Sequence, residues 1–325
     1  MMGWRKHPLR SGSMAVLLLL AMSSSFSCGG EGDGSSSERV ELTVIFSSDL
    51  LGLIRSCGCV VKDNGGLGRR ATYIERARNR YPNVIVLDAG DAMSLDLSYS
   101  QVEADLTWDA LALMGTDAYA PGEIDFIYGL PYLKRAAEKT GLDMLAANIV
   151  DAETGEPVFG ARYKIIEIGG GLKVGIVGVL DDAIRFPGYI DQSPFRVESV
   201  QRTLESVLPD MKREADFLIL LSHLGRERSI DLATRIPDFD LVVVGHGKPL
   251  IKQLVQKGKT IVAATGMGQY LGKIDLVLDG AGNYVEGRYS LVTLEAEIEI
   301  DPGVKDLFDY YGLELTEKEQ TKGKH

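Results

Sequence analysis

Histidine and cysteine are scarce in this chain, with four of the first and three of the second in 325 residues. Each one is therefore informative by where it falls. Positive charge is also short: 35 lysines and arginines face 46 aspartates and glutamates, for a formal net charge of -11. That balance excludes a protein that tracks along nucleic acid, because neutralising phosphates needs a basic surface. No internal run reaches the roughly 18 apolar residues that span a bilayer. No repeat is visible, and no shift in composition divides residues 40–298. What is present is ordinary for a globular protein: 45% hydrophobic and 25% charged residues, in a chain long enough for one large domain or two small ones.

The N-terminus has a different character. Arg5, Lys6 and Arg10 precede an apolar run over 14–22 that is too short to span a bilayer, and small residues then lead to Ser27 and Cys28. Residues 1–28 read as an export signal. A cysteine that closes a signal and opens a Gly/Ser linker resembles the bacterial lipoprotein pattern, in which Cys28 is lipidated and becomes the new N-terminus. Ser25 stands where such signals usually carry Leu, so an ordinary cleaved signal with an incidental cysteine stays open. Residues 29–39 form a Gly/Ser-rich tether. The expected location is the periplasm or cell envelope, with membrane contact only through the lipid anchor.

Hydrophobic patterning predicts strands, taken with the turns or loops that end them, over 40–46, 83–91, 117–125, 143–148, 217–225, 241–247 and 260–266, and helices over 67–79, 104–114, 130–140 and 200–214. Two hairpins follow from "YKIIEIGGGLKVGIVGV" and from "GKIDLVLDGAGNYVEGRYSLVTL". Alternating elements with hairpins in the middle and at the end predict an α/β fold of two mixed β-sheets flanked by helices. This domain covers 40–298. Residues 299–325 carry a C-terminal helix, opened by Asp301 and Pro302 and expected to dock on the domain, and a charged end.

Five strands finish in polar residues: Ser48 and Asp49, Gly90 and Asp91, Gly122 and Glu123 with Asp125, Ser222 and His223, Gly245 and His246. The last case, "VVVGHGKPL", delivers a scarce histidine to the tip of a buried strand. In α/β sheets the ligand site lies outside the carboxyl ends of the strands. A lone strand-end Asp is usually a turn residue or helix cap. Carboxylates and imidazoles gathered at five strand ends predict a shared divalent metal site.

The ordered set "SSDLLG", "GGLGRRATYIERAR", "VLDAGD", "GEIDF", "AAN", "KVGIVGV", "LLSHLG", "VVVGHG" and "TGMGQYLGKIDL", over 41–298, resembles the calcineurin-like metallophosphoesterases, within them the exported 5′-nucleotidase (UshA-type) branch. The resemblance implies a metal site, with Asp91, Glu123, His223 and His246 at the second metal position and Asp49 at the first. It also exposes departures. Leu51 and Lys248 stand where the family has the histidines of the first metal, and Ile124 stands where it has the histidine that assists the leaving group. Glu123 replaces an Asn, and a carboxylate still binds a hard cation. The divalent ion is of unknown identity, and two counts stay open: one ion alone, or a second held by Asp49 with Cys57 and Cys59. The family's second, nucleotide-recognising domain would begin about where this chain stops, so nucleoside specificity is not expected.

Cys57 and Cys59 sit in the loop after the first strand. Their spacing suits a small-ring disulfide, structural or redox-active, or two soft ligands converging on a metal. The glycine–arginine stretch at 65–70 suits either an anion at a helix start or close helix–sheet packing.

The expected function is metal-dependent hydrolysis of a phosphate ester or related small anionic ester, by metal-activated water. The alternative is a non-catalytic binding or thiol-redox module on a degenerate phosphoesterase fold.

Overall fold

Strand β1 (Val40–Ser47) turns Leu42, Val44 and Phe46 to one face and Ile45 to the other, the two-residue repeat of an extended chain. That alternation sets up two cores, one on each side of a sheet. The computed structural model describes residues 39–59, 63–96, 98–247, 251–256, 259–263 and 267–321. The signal, Cys28, most of the tether and Lys248 lie outside these residues. After β1 come α1 (Leu67–Arg80), β2 (Val84–Asp88), α2 (Gln101–Leu113), β3 (Ala118–Tyr119), α3 (Leu130–Thr140), β4 (Ile149–Asp151) and the β5 (Tyr163–Glu167)–β6 (Lys173–Leu180) hairpin. Then follow β7 (Phe195–Val197), α4 (Val200–Glu214), β8 (Phe217–His223), α5 (Gly225–Arg235), β9 (Leu241–Val244), β10 (Ile251–Gln256) and β11 (Lys259–Ala263). The chain ends in the β12 (Tyr270–Leu278)–β13 (Tyr284–Thr293) hairpin, α6 (Pro302–Tyr310) and α7 (Glu317–Thr321).

The fold is α/β, with two mixed sheets. One has the order β13-β12-β1-β2-β3, the other β10-β11-β9-β8-β6-β5, and β4 pairs with β7 in a small third. Strands β1, β2 and β3 run parallel, as do β6, β8, β9 and β11, while the hairpin strands are antiparallel. The sheets face each other across a core that joins Leu42, Val44, Phe46 and Leu87 to Ile176, Ile219, Leu221 and Val243. Helices α1, α2, α3 and α6 cover the outer face of the first sheet through Ile74, Trp108, Leu133 and Phe308. Helices α4 and α5 cover the second through Leu204, Met211 and Leu232. Strands buried on both faces must be apolar throughout, which is why β8 and β9 read FLILL and LVVV. No helix among the described residues is long and apolar enough to cross a membrane.

Three features differ from the sequence expectation. Residues 143–148 form only a single bridge, at Met144, and end in a turn, because they cross between the sheets instead of joining one. Leu145 N–H donates to Tyr119 of the first sheet (2.8 Å) and Ala147 N–H to Gly178 of the second (2.8 Å). Gly178 is a close approach: a Cβ there would stand 2.0 Å from the Leu145 carbonyl oxygen. Helix α5 and the strands β4, β7 and β10 were not expected. The residue before α5, Leu224, gives no side-chain cap that would announce a start. The charged end is also not simply solvated, since α7 buries Glu319 against the loop after β1. Helix α6 docks as expected, with Val304 and Phe308 buried and Asp301 capping Val304 N–H.

Arg69 and Arg70 are committed inside the domain. Arg69 pairs with Asp63 (2.8 Å), and Arg70 with Asp88 (2.8 Å) and the Ser47 hydroxyl, all buried. Their charge is spent on these carboxylates, and a Cβ at Gly68 would strike Ile300 at 2.5 Å. The glycine–arginine stretch therefore serves packing and leaves no free guanidinium for an anion.

Candidate metal centre

Phe217, Ile219 and Leu221 of β8 point into the core between the sheets, so His223, two residues on, points the same way at the strand tip. It is fully buried. Its Nδ1 lies 2.5 Å from the Ala89 carbonyl oxygen, and since a carbonyl only accepts, Nδ1 carries the proton. Nε2 is thereby aimed at Asp91 Oδ2 (3.3 Å) and Glu123 Oε2 (3.2 Å). His246, in the turn after β9, brings Nδ1 to 3.4 Å from Glu123 Oε1, with its ring centroid 5.2 Å from that of His223. One ligand atom from each of Asp91, Glu123, His223 and His246 lies within 4.8 Å of all the others.

The backbone is strained to achieve this. Asp91 (φ 59°) and His246 (φ 72°) adopt the left-handed region, as do Asp49 (φ 52°) and Leu51 (φ 52°) on the neighbouring strand end. For a residue with a Cβ this costs about 1–2 kcal/mol, and such strain clusters at functional sites. Asp125 holds the turns in place. Its buried carboxylate accepts from Tyr119 OH (2.7 Å), Gly122 N–H (2.8 Å), Ala92 N–H (2.9 Å), Asp91 N–H (3.0 Å) and Met93 N–H (3.2 Å). It thus ties the Asp91 turn to the Glu123 turn. Ile124 N–H in turn donates to Asp91 Oδ1 (3.0 Å).

The electrostatics show why these groups need one another. Burial opposes ionisation of Glu123, yet the His223 and His246 imidazoles hold its carboxyl well below the usual carboxylate range. Burial would lower His223, but Asp91 and Glu123 raise it well above the usual imidazole value. The hydrogen bond to Glu123 raises His246 against its partial burial. Burial, with the Asp91 charge, pushes Asp125 up to about 7. Two carboxylates facing two imidazoles call for positive charge at their centre, either protons or a cation.

The donors fit a divalent cation. Two imidazole nitrogens and two carboxylates are a suitable set for zinc or a comparable first-row ion. The space is also kept open: a Cβ on Gly122 would stand 2.1 Å from Asp91 Oδ1 and 2.5 Å from His223 Nε2. Gly122→Ala is therefore expected to abolish cation binding. Its φ of -91° suits any residue, so the loss would come from crowding and not from backbone strain. Titration calorimetry with Mn²⁺ would check this, and retained affinity would show that the ion sits elsewhere.

The remaining sequence candidates fall outside the group of four. Asp49 is buried on the adjacent strand end, its N–H donating to Gly90 (2.7 Å) and its carbonyl accepting from Met267 N–H (2.6 Å). Leu51 N–H donates to the Asp91 carbonyl (3.0 Å). Cys57 and Cys59 lie further along the loop, where hydrogen bonds run to Asp63 and Lys318. The organising role of Asp125 was not legible in the sequence. Its one signal is the spacing, a second acid two residues after Glu123 in a turn.

Comparison with known proteins agrees with this architecture. No family model matches the sequence. A snake venom 5′-nucleotidase from Gloydius brevicauda is 27% identical over 301 residues, covering 82% of this chain and 50% of that protein. The structure of a 5′-nucleotidase precursor from Thermus thermophilus superposes with a TM-score of 0.74 at 20% identity, over 84% of this chain and 58% of that one. The calcineurin-like phosphoesterase YfkN from Bacillus subtilis superposes with a TM-score of 0.68 at 21% identity, over 85% and 97%. The relatives of this chain are thus 5′-nucleotidases and related nucleotide phosphoesterases, and its fold is the one seen in calcineurin-like phosphoesterase structures. The chain spans about half the length of the curated relatives it matches. Within this phosphoesterase fold, the group of four is the set that the sequence resemblance assigns to the second metal position.

Proposed function

We propose that this chain hydrolyses small phosphate esters with one divalent cation held by Asp91, Glu123, His223 and His246. The observation that carries the proposal is the convergence of these four side chains on one point at the strand ends, where ligands of α/β folds sit. When bound, the cation would polarise the phosphoryl group and strengthen water as a nucleophile. The chain's own residues do the rest. His223 is fixed in one tautomer by the Ala89 carbonyl, so its Nε2 is always presented. Glu123 bridges the two imidazoles and keeps both rings facing inward. Asp125 holds the loops of Asp91 and Glu123 at fixed separation. Ile124 offers no proton to a leaving group. Esters with stable leaving groups, such as aryl phosphates, are therefore the favoured substrates over alkyl esters. We also propose export of the chain, anchored through a lipid on Cys28, on the strength of the signal in residues 1–28.

The test is hydrolysis of p-nitrophenyl phosphate by cation-loaded protein, before and after chelation. Activity should be lost on chelation and return with the cation. A rate indifferent to chelation and equal in His223→Ala would leave a binding module as the reading. Cation affinity should fall as pH falls. Both imidazoles must be deprotonated to bind, and Asp91 and Glu123 raise them. Protons therefore compete from above the usual histidine range downward, and affinity is greatest on the alkaline side. A flat profile between about pH 8 and 6 around the ordinary imidazole value would contradict ligation by these histidines.

A further inference from the structure

The metal group leaves the Cys57–Gly58–Cys59 loop unused. The loop is held from both sides. Cys57 N–H donates to Asn64 (2.9 Å), next to a bridge between Ser56 and Gly65. Gly58 N–H donates to Asp63 (2.9 Å), whose carboxylate is fixed by buried Arg69. From the C-terminal segment, Lys318 donates to the Cys59 carbonyl (2.7 Å), Glu319 accepts from Ser56 N–H (3.0 Å), and Thr316 meets the Ser56 hydroxyl (3.0 Å). Gly58 takes a left-handed φ of 64°, which folds the two cysteines back toward each other. The Cys57 sulfur accepts the Cys59 N–H (3.4 Å), and Cys59 Sγ lies 3.7 Å from the Cys57 carbonyl oxygen. Cys57 is half-buried, Cys59 is exposed, and neither is in a disulfide.

We propose that Cys57 and Cys59 form a thiol–disulfide exchange site that takes an accessible disulfide of another molecule, with Cys57 attacking and Cys59 resolving. Burial opposes the Cys57 thiolate, but hydrogen bonds from the Cys59 thiol, then from the backbone at Asn64 and Cys59, favour it, so that Cys57 lies below the ordinary thiol value. Cys59 lies above it, chiefly because its thiol hydrogen-bonds Cys57. The two sulfurs thus divide the roles. The Cys57 thiolate attacks one sulfur of R–S–S–R, that S–S bond breaks, and one R–S⁻ leaves. Cys59 loses its proton to solvent and attacks the Cys57 sulfur of the mixed disulfide, which expels the second R–S⁻. The chain is oxidised by two electrons, and the substrate disulfide is reduced to two thiols. With one residue between the cysteines the ring is small and strained, which makes it readily reduced again and suits it to exchange.

The test uses the full chain, reduced and treated with chelator, then exposed to excess oxidised glutathione. It is quenched in acid, alkylated and mapped by peptide mass, so that Cys28 is read separately. The wild-type peptide should lose both thiols to an internal disulfide and keep no glutathione. Cys59→Ser should hold one glutathione on Cys57, and Cys57→Ser should hold none at Cys59 over the same time. Wild-type protein that keeps both thiols, or carries glutathione on both sulfurs, overturns the proposal. So does a Cys57→Ser variant that is trapped as fast as Cys59→Ser.

Discussion

His223→Ala is expected to lower cation affinity about a hundredfold or more, beyond the roughly 10–100-fold typical of losing only an outer hydrogen-bond partner. The ring is fully buried, and its Nε2 faces both carboxylates of the group. Removing it takes a ligand from the cation. In the cation-free protein it also leaves Asp91 and Glu123 without their buried counter-charge, at about 3 kcal/mol of stability. Calorimetric titration and urea unfolding in chelator would read the two effects separately. His246 offers the contrast. It is partly exposed, and its left-handed φ of 72° suits glycine better than histidine. His246→Gly should therefore lose the cation while keeping stability within about 1 kcal/mol of wild type. Wild-type affinity in either variant would place the ion elsewhere.

Asp125→Ala is expected to destabilise the domain by about 3–5 kcal/mol and to weaken cation binding with it. The N–H groups of Asp91, Met93 and Gly122 and the Tyr119 hydroxyl would lose their acceptor in a fully buried setting, at about 1 kcal/mol or more for each, while Ala92 N–H would keep only the Tyr119 oxygen (3.0 Å). Asp125→Asn separates charge from hydrogen bonding. Oδ1 accepts from Ala92 and Met93, and Oδ2 accepts from Tyr119, Gly122 and Asp91. An amide keeps one oxygen and turns two donors toward the groups left on the other side. The Asn variant should therefore recover no more than about half of the loss. Full stability in Asp125→Ala, measured by urea unfolding, would show that the Asp91 and Glu123 turns do not depend on this carboxylate.

How much of this was legible beforehand depends on the kind of signal. The buried strands were legible because covering on both faces demands uninterrupted apolar runs, as in FLILL and LVVV. His223 and His246 followed from their places at the tips of those runs. The crossing segment 143–148 was not legible, because it carries an ordinary strand composition and its hydrogen bonds go to two different sheets. The pairing of Arg69 with Asp63 and of Arg70 with Asp88 was hidden for a related reason: a charged pair gives no periodic trace in the sequence. Asp125 looked like one more strand-end acid. Only the three-dimensional count of its donors separates it from the ligands it supports. The role of α7 in bracing the cysteine loop depends on contacts between residues far apart in sequence, which no local pattern records.

The most direct measurement is the stoichiometry of tightly held divalent cation, by elemental analysis of purified chain loaded with Mn²⁺ or Zn²⁺ and then desalted. The account predicts one ion per chain in the wild type and none in a His223→Ala, His246→Gly double variant that remains folded. Two ions per chain, or one ion that persists in the double variant, would contradict it.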